Sequence, residues 1–244
     1  MIKAGVDIGS RTIKVVLHDG QRKIHSEVRE NTFNTLEVCK SMLEGLNYDS
    51  ITATGYGRHL FADRYNATTI SEIKAFAIGI NNCYPNVRTI LDIGGQDTKA
   101  ITIDEKGNIK KFEMNDKCAA GTGRFLEIMA MALRYEIDEF GEKAIQAEDA
   151  AKVNSMCTVF AESEVISQIA NGANRENIAR GIHESIVKRS IMLLNRVGID
   201  GDIAFVGGVA KNSAMLSLLE KNLKRKIYVP DNPQIIGALG CAIV

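Results

Sequence analysis

The stretch D-I-G-S-R-T-I-K at residues 7–14 recurs as D-I-G-G-Q-D-T-K at residues 92–99. Each copy follows a short apolar run and precedes a second apolar run, which ends in a polar turn. The pattern predicts a strand, a glycine turn and another strand, written twice in one chain. Such a duplication indicates two similar domains that each offer a hairpin turn to a shared ligand.

Chain length and the alternation of predicted elements agree with two α/β domains. The 244 residues would form one large domain or two of about 120 residues each, and the repeat favours two. Pro85 and Asn86 interrupt a helical pattern and form the predicted hinge. We therefore predict a first domain at 1–86, a second at 87–232, and a closing helix at 233–244 that packs back on the first.

Hydrophobic periodicity and turn residues predict the individual elements. The predicted strands span 2–5, 12–18, 22–27, 51–54, 89–92, 98–103, 109–114, 203–206 and 227–229. The predicted helices span 35–46, 72–81, 124–134, 159–170, 175–197, 211–222 and 233–243. Residues 55–58 are predicted to form a turn.

Composition excludes several classes of protein. The 30 basic and 30 acidic residues cancel, so the chain carries no excess of positive charge for nucleic acid. The longest apolar runs fall well short of the roughly 18–20 residues of a membrane span. The chain enters its first strand pattern without a basic segment and an apolar signal core. We expect a cytoplasmic protein that binds neither nucleic acid nor membrane.

The first glycine turn has the donors that phosphate oxygens need. It combines backbone N–H groups, two hydroxyls and a cation, and glycine allows the backbone to approach a ligand closely. Asp7, at the end of the preceding strand, could hold Mg²⁺ through water. One such turn alone is also a common strand ending, but two copies in matched context favour phosphate. The predicted phosphate-binding residues of this turn are Gly9, Ser10, Arg11, Thr12, Ile13 and Lys14.

The second turn places different chemistry at the same position. Gly94 and Gly95 repeat the phosphate-binding backbone, while Gln96 and Asp97 replace Arg11 and Thr12. Glutamine can orient an attacking water without acting as a base. Asp92 would act as a base or as a second metal partner. The alternative is a surface hairpin with a solvated amide and carboxylate.

A third pair of glycines follows a later strand. Gly207 and Gly208 lie between the predicted strand 203–206 and the next helix. Taken alone, they would form an ordinary tight turn. After two phosphate turns, they become a plausible platform for adenine and ribose. The chain has neither a P-loop sequence nor a G-x-G-x-x-G that opens the first helix.

The five cysteines are odd in number and lack disulfide spacing. Cys39, Cys83 and Cys241 lie in apolar helical patterns and are predicted to be buried, inert thiols. Cys118 and Cys157 each precede a helix directly, where the helix dipole favours a thiolate and metal ligation. Spacing alone favours two unrelated structural cysteines. Two chains related by a two-fold axis would nevertheless supply four ligands, enough for one [4Fe–4S] cluster.

The three glycine turns, in this order, resemble the ASKHA superfamily of acetate and sugar kinases, Hsp70 and actin. In combination, four stretches, one of which contains the second glycine turn, resemble one branch, the BadF/BadG/BcrA/BcrD-type ATPases, and most closely the activators of 2-hydroxyacyl-CoA dehydratases. These stretches are L-D-I-G-G-Q-D-T-K, N-D-K-C-A-A-G-T-G-R-F-L-E, C-T-V-F-A-E-S-E-V-I and P-Q-I-I-G-A-L-G-C-A. The resemblance runs from Asp7 to the C-terminus. It implies an actin/hexokinase/Hsp70-like α/β fold, with two duplicated RNase H-like domains around a nucleotide cleft.

The resemblance also implies an activity. It implies a homodimer with one [4Fe–4S] cluster held by Cys118 and Cys157 of each subunit. ATP/ADP with Mg²⁺ would bind between the Asp7 and Asp92 turns, and Gln234 would flank the nucleoside together with the later glycine pair. Hydrolysis would drive one low-potential electron from a ferredoxin or flavodoxin donor into a partner iron–sulfur enzyme.

The class of partner enzyme stays open at this point. The family serves 2-hydroxyacyl-CoA dehydratases, benzoyl-CoA reductases and double-cubane cluster proteins. In this chain, Phe76 stands where the corresponding family stretch carries histidine, and the chain is slightly shorter than the activators. Neither difference touches the phosphate turns or the two cysteines.

Two other functions are compatible with the glycine turns. A small-molecule kinase of the same superfamily, for an amino sugar or an acyl acid, would share the ATP site. It would also need a carboxylate base and space for an acceptor, and the chain shows no sugar-binding insertion. A non-catalytic, actin-like assembly module would form filaments in ATP and would not need the two thiols.

Overall fold

A computed structural model describes residues 1–154 and 157–244, and it contains two five-stranded sheets. The first sheet has the order β3-β2-β1-β4-β5 and the second has the order β10-β9-β6-β7-β8. Read from its other edge, the second sheet has the order β8-β7-β6-β9-β10. Each sheet therefore places the third, second, first, fourth and fifth strands of its repeat side by side, which confirms the duplicated α/β fold. The strands are β1 (Lys3–Ile8), β2 (Thr12–His18), β3 (Lys23–Glu30), β4 (Ser50–Thr54), β5 (Thr68–Thr69), β6 (Val87–Ile93), β7 (Thr98–Ile103), β8 (Ile109–Asn115), β9 (Asp202–Val206) and β10 (Ile227–Tyr228).

Helices surround the strands of each repeat. They are α1 (Thr35–Leu43), α2 (Arg58–Tyr65), α3 (Glu72–Cys83), α4 (Gly123–Ala132), α5 (Ile137–Gln146), α6 (Thr158–Ala170), α7 (Arg175–Val197), α8 (Ser213–Leu223) and α9 (Ile236–Ile243). A 3₁₀ turn, Gly208–Lys211, precedes α8. No helix in the described ranges is long and apolar enough to cross a membrane.

The chain divides into two compact units. The first unit comprises Met1–Ile90, Ile101–Phe112 and Pro230–Val244, and the second comprises Leu91–Ala100 and Glu113–Val229. The domain limits that we derive from the sequence, 1–86 and 87–232, stay a prediction.

The core of the first unit lies on both faces of β1. On one face, Val6 and Ile8 pack with Cys39 and Met42 of α1 and with Phe61 of α2. On the other face, α9 packs against β1, β2 and α3.

Glycine permits the close packing of α9. A Cβ at Gly5 would lie 1.9 Å from the carbonyl oxygen of Ala238, and one at Gly240 would lie 1.8 Å from that of Ala75. Any side chain at these two positions would force the backbones apart.

The core of the second unit surrounds α7. Buried apolar side chains of this helix, among them Ile178, Ile182 and Ile186, pack with Phe125 of α4, Phe140 of α5 and Phe205 of β9. One polar side chain, His183, is also fully buried on α7. Its Nδ1 lies 2.8 Å from the carbonyl oxygen of Ala179, and its Nε2 lies 3.0 Å from Nδ2 of Asn212.

The neighbours of His183 fix its protonation. An amide nitrogen only donates, so Nε2 accepts from Asn212 and Nδ1–H donates to Ala179. Asn212 Oδ1 already accepts the N–H of Met215 as the N-cap of α8, so its amide is held in this orientation. The ring is therefore neutral, and burial lowers the pKa of His183 to about 4.

We expect His183 to make stability depend on pH. Below pH 6.5 the unfolded chain binds a proton at His183 that the folded chain does not, because the folded pKa is lowered to about 4. This group therefore lowers the free energy of unfolding as the pH falls from 6.5 to 4, by about 1.4 kcal/mol per pH unit. Urea unfolding of wild type and of His183→Gln between pH 7 and pH 4.5 measures the difference in slope. Equal slopes for both proteins would contradict the assignment.

Three elements were absent from the sequence prediction, and one predicted burial was wrong. The structure adds α2, β5 and α5. Helix α2 lacks an apolar stripe, since Phe61 is its only buried side chain, and part of it was predicted as a turn. Cys39 and Cys241 are buried as predicted, and burial raises the pKa of both thiols. Cys83, the last residue of α3, is exposed, so its predicted burial is corrected.

Candidate functional site

The first glycine turn closes the β1–β2 hairpin. The Gly9 N–H donates to the carbonyl oxygen of Thr12 at 3.1 Å, which leaves Ser10 and Arg11 at the tip. Asp7 and Lys14 face each other across the hairpin, and Lys14 Nζ lies 3.1 Å from Asp7 Oδ2. The predicted acid and the predicted cation of this turn are therefore already paired.

Two further predicted residues of this region have different environments. The side chain of Ile13 is fully buried in the core of the first unit, so only its backbone is available to a ligand. Gln234 lies in the first unit, two residues before α9. A Cβ on Gly237, in the first turn of α9, would lie 3.3 Å from Asp7 Oδ2, so the start of this helix approaches the acid.

Asn31, which the sequence analysis did not single out, holds the first turn in place. Its side-chain Nδ2 donates to the carbonyl oxygen of Gly9 at 2.8 Å, and its backbone N–H donates to that of Arg11 at 2.8 Å. Its Oδ1 accepts the hydroxyl of Thr35 in α1 at 2.8 Å. One residue thus fixes two carbonyls of the turn and ties them to a helix. The sequence carries no signal for this role, because Asn31 is distant from the turn along the chain.

The second turn has the same hairpin closure and a different ionic arrangement. The Gly94 N–H donates to the carbonyl oxygen of Asp97 at 2.9 Å, as in the first repeat. Lys99 Nζ lies 3.2 Å from Asp92 Oδ2 and 2.7 Å from Asp97 Oδ2. Lys99 is only 2 % exposed, so this triad of one cation and two carboxylates is buried.

The side chains of the second turn separate into two groups. Asp92 and Asp97 are buried beside Lys99, whereas Gln96 is exposed at the tip. Gly94 approaches the triad closely, since a Cβ there would lie 2.8 Å from Asp97 Oδ1. The buried acids have a fixed orientation, and the exposed amide can reach a bound ligand.

Gly207 completes the surroundings of Asp92. Its φ of +86° lies in the left-handed region, and a Cβ there would lie 2.4 Å from Asp92 Oδ1. Gly208 is exposed and begins the 3₁₀ turn. The structure therefore brings the third glycine turn to the end of β6, beside the second glycine turn.

The first unit contains an equivalent glycine that was predicted only as part of a turn. Gly55 follows β4, has a φ of +92°, and would place a Cβ 2.7 Å from Asp7 Oδ1. A signal for it was present, because a glycine follows β4 as Gly207 follows β9. The duplication thus extends to the glycine that packs against each acid.

Cys118 and Cys157 precede two helices that pack on each other, Cys157 directly and Cys118 by five residues. Cys118 is in the loop before α4, and Cys157 is the N-cap of α6. Both thiols are exposed and free of disulfides. Two exposed apolar side chains in the first turn of α6, Val159 and Phe160, follow Cys157 and Thr158, at 67 % and 68 % exposure. Adjacent exposed apolar side chains are typical of a protein–protein interface.

The thiols fit an iron–sulfur cluster as half of a ligand set. Thiolates are the usual ligands of [4Fe–4S] clusters, which take four of them. The part of the chain that the structure describes holds no group of three or more His, Cys, Asp or Glu side chains arranged for a metal ion.

The chain has the actin- and hexokinase-like ASKHA fold. A ROK-family glucokinase from Streptomyces griseus shares this fold, with a TM-score of 0.60 at 11 % identity over 99 % of this chain and 98 % of that one. The chain belongs to the BadF/BadG/BcrA/BcrD ATPase family, whose model matches residues 4–244.

Two similar proteins are activators. The activator of lactoyl-CoA dehydratase from Anaerotignum propionicum is 46 % identical, over all of this chain and 96 % of that protein. The structure of the activator of the 2-hydroxyisocaproyl-CoA dehydratase from Clostridium difficile, with bound ADPNP, has a TM-score of 0.91 at 40 % identity. That match covers 100 % of this chain and 93 % of the other.

Proposed function

We propose that this protein is an ATP-dependent reductive activator. In this proposal it is a homodimer that holds one [4Fe–4S] cluster through Cys118 and Cys157 of each subunit. It couples ATP hydrolysis to the transfer of one low-potential electron into a partner iron–sulfur enzyme. The names of the similar proteins favour a 2-hydroxyacyl-CoA dehydratase as that partner.

The ATP part of the proposal is supported by the two glycine turns and by the ADPNP bound to a similar protein. In the first unit, the hydroxyls of Ser10 and Thr12 and the cation of Lys14 would bind phosphate oxygens. Asp7 would hold Mg²⁺ through water once the ligand competes for Lys14. The backbone between Gly9 and Lys14 would supply further N–H donors.

The second unit would supply the hydrolytic groups. Gln96 is exposed and would position the attacking water, while Gly94 and Gly95 would donate backbone N–H groups to phosphate. Asp92 would act on the water or on the metal from its fixed place beside Lys99. Gly207 and Gly208 in this unit, and Gln234 in the first, would flank the nucleoside.

The two cysteines would hold the cluster, which when bound supplies one-electron chemistry at low potential. Both thiols are exposed, Cys118 in the loop before α4 and Cys157 at the N-cap of α6, so a cluster could reach them. The exposed Val159 and Phe160 would bury apolar surface against the second subunit.

One observation carries the proposal. The loop that contains Cys118 continues into α4, whose first N–H groups donate to the carbonyl oxygens of the second glycine turn. A thiol suited to a cluster and a turn suited to ATP therefore belong to one hydrogen-bonded assembly within the second unit. A small-molecule kinase or a filament module would not require a thiol on this loop.

Anaerobic purification tests the proposal. We expect about four irons and four sulfides per dimer, a brown protein, and phosphate release from ATP without any acceptor. An iron-free, colourless monomer obtained under strict exclusion of oxygen would refute the cluster and the dimer. Phosphate transfer to an added amino sugar or acyl acid would instead identify a small-molecule kinase, and filaments in ATP would identify an assembly module.

The brace formed by Asn31 gives a prediction for ATP affinity. Asn31→Ala removes the bond to the Gly9 carbonyl and the acceptor of Thr35. Loss of about 1 kcal/mol of preorganisation should weaken binding of a non-hydrolysable ATP analogue about fivefold. Titration calorimetry with Mg²⁺ measures this change. Asn34→Ala is the matched control, because Asn34 makes no side-chain cap bond at α1. Equal affinities for the two variants would contradict the role of Asn31.

A further inference from the structure

We propose that Thr98 is a positioning residue that couples the second glycine turn to the loop carrying Cys118. This inference rests on the proposed function, because it assigns the route by which a nucleotide at the turn acts on a cluster ligand. It adds a residue that neither binds the nucleotide nor ligates iron.

The side chain of Thr98 reaches the cysteine loop directly. Thr98 is the first residue of β7 and is 2 % exposed. Its hydroxyl donates to the carbonyl oxygen of Gly121 at 2.8 Å, in a buried hydrogen bond between residues 23 positions apart. A hydroxyl donor at this depth has no access to water as an alternative partner. Breaking the bond would therefore leave a buried donor unsatisfied, which costs free energy.

The backbone of the same loop is joined to the same turn. The N–H groups of Gly123 and Arg124, at the start of α4, donate to the carbonyl oxygens of Gly94 and Gly95, each at 2.9 Å. Thr98 therefore adds a third bond. Together the three bonds join the carbonyls of Gly94 and Gly95 and the first residue of β7 to the segment 121–124.

The loop itself transmits this connection to the cysteine. Asn115 Nδ2 donates to the carbonyl oxygens of Cys118 at 3.0 Å and of Ala120 at 3.3 Å. The hydroxyl of Thr122 donates to the carbonyl oxygen of Ala119 at 2.6 Å. Each carbonyl from Cys118 to Gly121 thus accepts a side-chain hydrogen bond, and these bonds restrain the whole loop.

The consequence concerns how a ligand at the turn changes the loop. A nucleotide that displaces the carbonyls of Gly94 and Gly95 must also displace α4 and the loop, or break the bonds to them. The two backbone bonds set the position of the helix start. The Thr98 hydroxyl sets the position of Gly121, whose φ of +94° marks the point where the loop turns into the helix. Without that hydroxyl, the turn can shift while the loop keeps its position.

Thr98→Val tests the coupling, because valine keeps the shape of the side chain and removes the hydroxyl. Thr102→Val is the matched control: Thr102 lies on the same strand, is 3 % exposed, and its hydroxyl donates to a different carbonyl, that of Lys111. Hydrogen exchange of the amides at 118–124 is followed by mass spectrometry. The full chain, purified anaerobically, is measured with and without the Mg²⁺ complex of ADPNP.

The readout is the ratio of the exchange rates with and without nucleotide. A merely structural loss changes both rates equally and leaves this ratio unchanged. In wild type and Thr102→Val we expect the same nucleotide-dependent ratio. In Thr98→Val we expect that ratio to be reduced about fivefold, while the affinity for ADPNP stays unchanged. A wild-type ratio in Thr98→Val would overturn the proposal, as would a ratio of one in wild type that binds ADPNP. If wild type does not bind ADPNP, the proposed function fails instead.

Discussion

Replacing Lys99 by methionine is expected to lower the free energy of unfolding by about 3–5 kcal/mol. The substitution preserves the volume of the side chain and leaves the carboxylates of Asp92 and Asp97 buried without the cation that lies 3.2 and 2.7 Å from them. Desolvated like charges repel strongly when the cation between them is removed. Urea unfolding followed by circular dichroism measures the loss.

The duplication supplies the control for this experiment. Lys14 is the equivalent residue of the first turn, but its side chain is 13 % exposed and it pairs with one carboxylate, that of Asp7. Lys14→Met should therefore cost much less than Lys99→Met. In the double variant Asp97→Asn/Lys99→Met, removal of one carboxylate should restore part of the stability. Equal losses for the two lysine variants would show that burial of the Lys99 triad does not increase its contribution to the free energy of unfolding.

The second large effect concerns the cysteines. Cys118→Ala is expected to abolish iron binding, because a homodimeric variant would lose two of four thiolate ligands and a four-iron cluster takes one thiolate per iron. The iron content after anaerobic purification should fall from about four per dimer to near zero. Binding of ADPNP should persist, since the Cys118 side chain is exposed and lies in the loop outside the glycine turns.

Cys83→Ala is the matched control for the cysteine experiment. Cys83 is also an exposed thiol, but it ends α3 in the first unit and lies outside the proposed ligand set. Its replacement should leave the iron content unchanged. A full complement of iron in Cys118→Ala would show that the cluster, if present, is held by other residues.

The local pattern predicted most elements because hydrophobic periodicity reports burial directly. Helix α7 and strands β2 and β7 begin and end where the sequence predicts. Helix α8 begins at Ser213 because Asn212 caps it, two residues after the predicted start. The predictions missed α2, which lacks an apolar stripe, and α5, although its capping box at Glu136 and Glu139 is a local signal.

The residues of the candidate site also divide into those that the local sequence predicted and those that only the structure revealed. The two glycine turns, their acids and their lysines were visible in the sequence as a repeat, because hairpins are local structures that short motifs specify. The roles of Asn31 and Thr98 were not visible, because each acts on a carbonyl more than 20 residues away along the chain. No local pattern encodes a side chain's hydrogen bond to a distant backbone group.

The sequence by itself determined the duplicated α/β fold, the family and the residue types at each turn, since strands, glycine turns and helix starts are written in neighbouring residues. Only the tertiary structure decided that Lys99 forms a buried triad while Lys14 forms a simpler pair, and that the cysteine loop is bonded to the second turn. The physical reason is that burial and hydrogen bonding depend on which distant segments pack together, so similar local motifs acquire different energies.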